Sequence, residues 1–297
     1  MKNAILDLIG DAVTKRIDKT FVYDKSYNVG EYTMIIPSSA NLRRNQKKYP
    51  LYDMFLPVLA KHLNKDGLII DVGANIGDTL VSMIQNCQNP FVCIEPSAFF
   101  FKYLKKNAGI LKSEEINRIQ LVQRLVGTGI LSGELKITEG STATIQISND
   151  SAKSSHMPLD EIVEQSETVL LLKSDVDGYD YDVINSAQRI ISDFEPILFF
   201  EDDFQNAFQY EKYLNLFDSL KKKNYAYITI FDNFGNILVD QADYATLKDV
   251  HKYLLNMIEY SATRTFFYID IMMATEKHLS IMKNAIEDYK KNWIEKK

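Results

Sequence analysis

Nine consecutive residues, Asp71-Val72-Gly73-Ala74-Asn75-Ile76-Gly77-Asp78-Thr79, follow directly on the apolar run Leu68-Ile69-Ile70. An apolar run that ends in Gly-x-Asn-x-Gly and passes into a helical pattern reads as strand, tight turn and helix. That is where an open α/β sheet holds a cofactor, at the carboxyl end of its first strand. The acid closing the strand selects the sign of the ligand. A pyrophosphate would be repelled by Asp71, whereas a cationic sulfonium or α-amino group would be attracted.

Two common phosphate-binding patterns fail here. Laying Gly-x-Gly-x-x-Gly over the turn from Gly73 puts Asn75 and Asp78 where the second and third glycines belong, which disfavours NAD or FAD. The Gly-Lys-Ser/Thr of a P-loop is absent as well. The ligand that fits the charge is S-adenosylmethionine. Gly73 and Gly77 would let the backbone approach its methionine moiety, with Ala74, Asn75, Asp78 and Thr79 completing the turn and Asp71 holding or orienting the amino group. A plain strand-to-helix turn with Asn75 or Asp78 as N-cap is the alternative. Glu95 closes the next strand, before Pro96 and Ser97, and an acid there accepts both ribose hydroxyls, in NAD enzymes too. Leu125 and Val126, at the end of a third strand, would supply apolar contact to the adenine.

A second dense cluster is Lys173-Ser174-Asp175-Val176-Asp177-Gly178-Tyr179-Asp180. A buried strand that emerges into charge places it at the ligand-binding edge of the sheet. Asp175 is the candidate to steer the acceptor, act as its base or bind a metal. Lys173 would hold the carboxylates through an ion pair, and Asp177 reads as the N-cap of the next helix. Asp175 with Glu201 and Asp202 could hold Mg²⁺ against an acceptor hydroxyl, although helix capping and surface charge explain the same acids. His156, in a Ser/Asn/Asp-rich loop over 148–156, is a candidate general base or a solvated histidine. Asp160 reads as a helix N-cap. The basic group Arg43, Arg44, Lys47 and Lys48 sits in an expected polar loop over 41–49 and would meet an anionic substrate or simply water.

The elements that must position these residues alternate. Strands are expected over 68–71, 91–95, 119–126, 169–174, 197–201, 226–231 (continuing past a turn at 233–236) and 265–273. Helices are expected after Gly77 and over 98–107, 179–190, 210–223, 244–260 and 276–293, with an added hairpin over 133–138 and 142–147. Before them come an amphipathic helix over 3–17 (Ile5, Ile9, Val13, Ile17), a short strand pair over 21–36 and a helix over 51–63 that Pro57 kinks or starts. This predicts a mostly parallel sheet covered on both faces, preceded by an N-terminal cap over 1–66, with 67–297 as one main domain.

The bulk numbers agree with a globular chain: 297 residues, 46% hydrophobic and 25% charged. A formal net charge of -6 argues against a duplex nucleic-acid binder. Cys87 and Cys93 have no metal-ligand spacing and read as thiols of a reducing, cytoplasmic compartment. No apolar run reaches the length of a membrane span, and a homo-oligomer is left open.

Taken together, the blocks Asp71-Val72-Gly73-Ala74-Asn75-Ile76-Gly77, Ile94-Glu95-Pro96, Leu159-Asp160 and Leu172-Lys173-Ser174-Asp175-Val176-Asp177-Gly178 resemble the FkbM-type family of S-adenosylmethionine-dependent methyltransferases. The sequence departs from it at Asp177, where the family usually shows Glu, and at Tyr179-Asp180, where a small residue and Glu are usual. The resemblance implies a Rossmann-like, seven-stranded class I methyltransferase sheet whose last strand is antiparallel. It also implies methyl transfer to a hydroxyl of a sugar, glycan or secondary metabolite. A nitrogen or carbon acceptor, or a non-catalytic S-adenosylmethionine-binding module, are the competing expectations.

Overall fold

A computed structural model describes residues 23–129, 133–137, 143–147, 156–165, 167–260 and 266–295, with the backbone alone for 133–137 and 143–147. The helix expected over 3–17 and most of the loop over 148–156 lie outside the described residues.

The chain opens with a hairpin, β1 (Asp24–Val29) and β2 (Tyr32–Pro37), then α1 (Leu42–Lys48) and α2 (Phe55–His62). The expected polar loop over 41–49 is therefore a helix. Its arginines, lysines and glutamine are good helix formers, Lys47 and Lys48 complement the carboxyl end of the dipole, and buried Leu42 anchors it. Pro57 falls in the first turn of α2, where its missing N–H costs nothing.

The central strands are β3 (Leu68–Val72), β4 (Phe91–Ile94), β5 (Ile119–Val122), β8 (Val169–Ser174) and β9 (Ile197–Asp202). They are linked by α3 (Asp78–Ile84), α4 (Ala98–Ala108), α5 (Ser113–Ile116) and, after the hairpin β6 (Gly133–Ile137) and β7 (Ala143–Ile147), by α6 (Leu159–Ile162). After β8 come α7 (Asp180–Asn185) and α8 (Gln188–Phe194), and after β9 comes α9 (Ala207–Lys222). The chain closes with β10 (Tyr227–Asp232), β11 (Ile237–Ala242), α10 (Tyr244–Tyr260), β12 (Ile269–Ala274) and α11 (Leu279–Tyr289).

The main sheet runs β11-β10-β12-β9-β8-β3-β4-β5. The strands from β5 to β9 pair in parallel and β12 is antiparallel to both neighbours, as the resemblance implied. An eighth strand, β11, is added at the edge because the 233–236 turn folds it back on β10. Asp232 fixes that turn, its carboxylate accepting the Phe234 and Asn236 amides. The strand expected to run to 126 stops at Val122, and Val126 instead forms an isolated parallel bridge with Met157.

Two cores lie on the two faces of the sheet. One packs Ile69, Cys93, Phe199 and Phe231 under the β1–β2 hairpin, α2, α3, α4 and α11, so the N-terminal segment shares a core with the sheet. The other packs Ile70, Leu172 and Phe200 under α7 to α10. Side chains alternate between these faces along each strand, and that alternation decides which strand-end acids meet.

The helix expected over 179–190 is broken at Ser186-Ala187. Asp160 explains the restart. Its two carboxylate oxygens accept the Arg189 and Ile190 amides at 2.7 and 3.1 Å, so it is a helix N-cap as expected, and the helix it caps is α8.

Candidate active site

The turn after β3 is held by its own chain before any ligand is considered. The amides of Gly73 and Ala74 donate to the Ile94 carbonyl of β4 at 2.9 and 3.0 Å. Gly73 has φ +79°, and a Cβ there would come within 1.9 Å of the Asp175 carbonyl oxygen. No other residue fits between β3 and the loop leaving β8. Asn75 and Gly77 also take positive φ, and Gly77 is the residue that enters α3. Neither Asn75 nor Asp78 caps the helix. Asp78 is its first residue, where a carboxylate meets the positive end of the dipole.

Asp71 and Lys173 are register partners on β3 and β8, and both are buried. Lys173 Nζ lies 2.9 Å from Asp71 Oδ1 and 3.6 Å from Asp175 Oδ2, and its ammonium donates to the Gly73 carbonyl at 3.4 Å. Burial opposes the charge on Lys173, but the Asp71 and Asp175 carboxylates outweigh it and raise the lysine above its ordinary value. The expected ion pair is present and ties the turn after β3 to the loop after β8. Asp175 keeps about half its side chain exposed.

Glu95 is buried, and its carboxylate accepts the Asn75 and Ser97 amides at 3.0 and 2.8 Å. Burial pushes its pKa up to about 7, against those two hydrogen bonds, which lower it. Burial likewise raises Asp78 to about 6. Ser97, after Pro96, caps α4, accepting the Phe100 amide. A carboxylate has room for about four hydrogen bonds, so Glu95 retains acceptor capacity at the end of β4.

Other expected residues fall elsewhere. His156 packs beside Gly127, where a Cβ would come within 3.0 Å of its ring, while the Gly127 amide donates to Met157. Leu125 accepts the Met157 amide and Val126 is buried in the second core, so this pair and His156 form one zipped edge. The structure does not join His156 to Lys173 or Asp175. Asp202 is also diverted. The strand alternation turns it to the opposite face from Glu201, where it meets buried His251 Nδ1 at 2.7 Å. Asp175, Glu201 and Asp202 therefore do not form a common metal site, and no group of three or more His, Cys, Asp or Glu among the described residues is arranged to hold a metal. Asp177 has φ +51° and precedes the helix without capping it, Tyr179 being the N-cap residue. Burial and then Asp175 raise its pKa.

Sequence reasoning missed Asp53, Phe199, Phe231 and Asp270. These four line a cavity of about 40 Å³ with Lys173 and Asp175. A visible signal existed for Asp270, a single acid inside the otherwise apolar Ile269-Asp270-Ile271-Met272. Asp53 and Thr79 line this cavity and also an outer cleft of about 470 Å³ between the β1–β2 hairpin, α2 and α3. The cleft carries Gln46, Ser82, Gln85, Asn86 and Trp293.

The residues present fit S-adenosylmethionine. The turn offers backbone rather than side chains at Gly73 and Gly77, and acids surround it at Asp71, Asp78 and Glu95. The model of the methyltransferase FkbM domain matches residues 71–227. No curated protein matches the chain. Among solved structures, a methyltransferase FkbM from Methylobacillus flagellatus KT is 14% identical with a TM-score of 0.39, covering 71% of this chain and 44% of that one. This chain thus spans less than half the length of the Methylobacillus protein. TYW2 of M. jannaschii, solved with AdoMet, is 8% identical with a TM-score of 0.44, covering 84% of each chain. An O-methyltransferase from Bacillus cereus, solved with SAH, is 9% identical with a TM-score of 0.43, covering 79% of this chain and 88% of that one. The family model covers more than half of the sequence, including both the turn at Asp71 and the Lys173–Asp175 loop, and the chain belongs to the FkbM methyltransferase family.

Proposed function

We propose that the protein is an S-adenosylmethionine-dependent O-methyltransferase acting on a hydroxyl of a sugar, glycan or related polyhydroxylated metabolite. The observation that carries the reading is Asp175. It is an exposed carboxylate at the sheet edge, steered by Lys173 and lining the cavity directly beside the Gly73 turn. S-Adenosylmethionine bound at the turn would supply an electrophilic methyl group on a sulfonium.

The chain's own share is alignment and proton removal. Asp175 accepts the proton of an acceptor hydroxyl seated in the cavity. Lys173 fixes the direction of that carboxylate and keeps Asp71 neutralised. Phe55, Phe199 and Phe231 exclude water from the floor. The outer cleft has the size of a small-ligand site and carries polar side chains beside Met54, Pro57, Val58 and Trp293.

The test is transfer of labelled methyl groups from S-adenosylmethionine to a panel of mono- and oligosaccharides. Asp175→Asn should bind S-adenosylhomocysteine within twofold of wild type and lose at least a hundredfold in turnover. Retained turnover would make Asp175 structural. Label recovered on nitrogen or carbon would replace the hydroxyl reading.

A further inference from the structure

The outer cleft is built from two helix faces. Met54, Pro57, Val58 and Lys61 line it from the N-cap and body of α2, and Asp78, Thr79, Ser82 and Asn86 from α3 and the residues just after it. Spacings of three and four place such side chains in one row along a helix. The volume, about 470 Å³, falls in the range of small-ligand sites. Both faces are fixed by the fold itself. His62, at the end of α2, pairs with Asp288 of α11 at 2.9 Å, and Gln85, after α3, accepts the Glu31 amide of the hairpin at 2.9 Å.

The α2 wall is apolar apart from Lys61, and Trp293, the single tryptophan of the chain, lines the cleft as well. Trp293 is half-buried and comes from a π-helical turn, Lys290–Ile294, in which the Glu295 amide donates to the Lys290 carbonyl at 2.9 Å. Such turns are rare and concentrate at functional sites. Lys290 pairs with Asp240 of β11, so the strand added at the sheet edge anchors the turn that carries the indole. The α3 wall is polar and presents acceptors. The Ser82 hydroxyl donates to the Thr79 carbonyl and the Asn86 amide to the Ser82 carbonyl, which leaves Ser82 Oγ and Asn86 Oδ1 to accept. An apolar wall with an indole, together with a row of acceptors, matches a ring that has a C–H face and hydroxyl donors on its edge.

We propose that this cleft binds the acceptor and that the acceptor is an oligosaccharide, one ring of which stacks on Trp293. Asp53 and Thr79 line both the cleft and the small cavity, so the sugar nearest them is the one that reaches Asp175. From Thr79 to Asn86 the α3 wall extends about 10 Å, more than a single pyranose ring covers, which selects a glycan over a free monosaccharide. The place of the cleft in the reaction rests on the methyltransferase reading, but its occupancy is testable without the donor.

The experiment follows Trp293 emission in the full chain, without donor, as saccharides are added. The probes are cellotriose, galactotriose, mannotriose, chitotriose and rhamnotriose, each beside its own monosaccharide. At least one trimer should shift the emission saturably and bind tenfold or more tightly than its monosaccharide. By calorimetry, Trp293→Ala should weaken that trimer at least tenfold, and Ser82→Phe, which fills the cleft from the α3 wall, should abolish its binding. Both variants should keep the wild-type circular dichroism spectrum. No binding by any trimer, equal binding of trimers and monosaccharides, or trimer affinity that survives either substitution would overturn the site. Quenching by 1-anilinonaphthalene-8-sulfonate that no trimer displaces would give the cleft to an apolar ligand instead. A wild type that binds a trimer but no S-adenosylhomocysteine keeps the glycan site and strikes the donor reading; one that binds S-adenosylhomocysteine but no trimer does the reverse.

Discussion

The two halves of the site differ in how their acids are satisfied. On the proposed donor side, Asp71 is paired with Lys173, and Glu95 takes two backbone amides. On the proposed acceptor side, Asp53 and Asp270 line a cavity with no such partners among the described residues. The donor half is preorganised by the fold, whereas the acceptor half keeps repulsion that a ligand can relieve. Substitutions of charge should therefore act with opposite sign in the two halves.

The largest effect belongs to the donor half. Lys173→Met leaves Asp71 buried without its counter-charge and should cost about 3–5 kcal/mol in urea unfolding. A loss near zero would mean that the pair does not hold the turn.

A pH series comes next. Glu95 and Asp78 titrate higher in the folded chain than in the unfolded one, which binds fewer protons in that window. The stability they contribute is complete below about pH 4 and is lost as pH rises through about 6 for Asp78 and about 7 for Glu95. Raising Glu95 from 4.5 to about 7 corresponds to roughly 3 kcal/mol. The urea midpoint should fall between pH 5 and pH 8; a rise would contradict the burial of these acids.

The smallest effect has the opposite sign. Glu201→Gln removes one of two acids that are register partners and, at a pH alkaline enough to ionise both, should stabilise the ligand-free chain by about 0.2–1 kcal/mol. Destabilisation comparable to Lys173→Met would erase the distinction between the halves.

The turn after β3 was legible in the sequence because its signals are local. Strand, glycine turn and helix follow one another within nine residues, and the acid's charge narrows the ligand without any tertiary knowledge. The acceptor half depends on register. Asp270 meets Glu201 only because β12 runs antiparallel beside β9, and Asp202 is lost to His251 because one step along the strand reverses the face. Asp160 is the expected helix N-cap, but which helix it caps was not legible, because its partners lie close in space and distant in sequence. At 41–49 the polarity of the residues masked their helix propensity, and a single buried Leu42 was too little to show a helical face.

The central claim is that the turn at Asp71 holds a cationic methyl donor rather than a dinucleotide. Calorimetry of wild type with S-adenosylmethionine, S-adenosylhomocysteine and NAD tests it most directly. The account predicts saturable binding of S-adenosylmethionine and S-adenosylhomocysteine and none of NAD. Binding of NAD alone would contradict it.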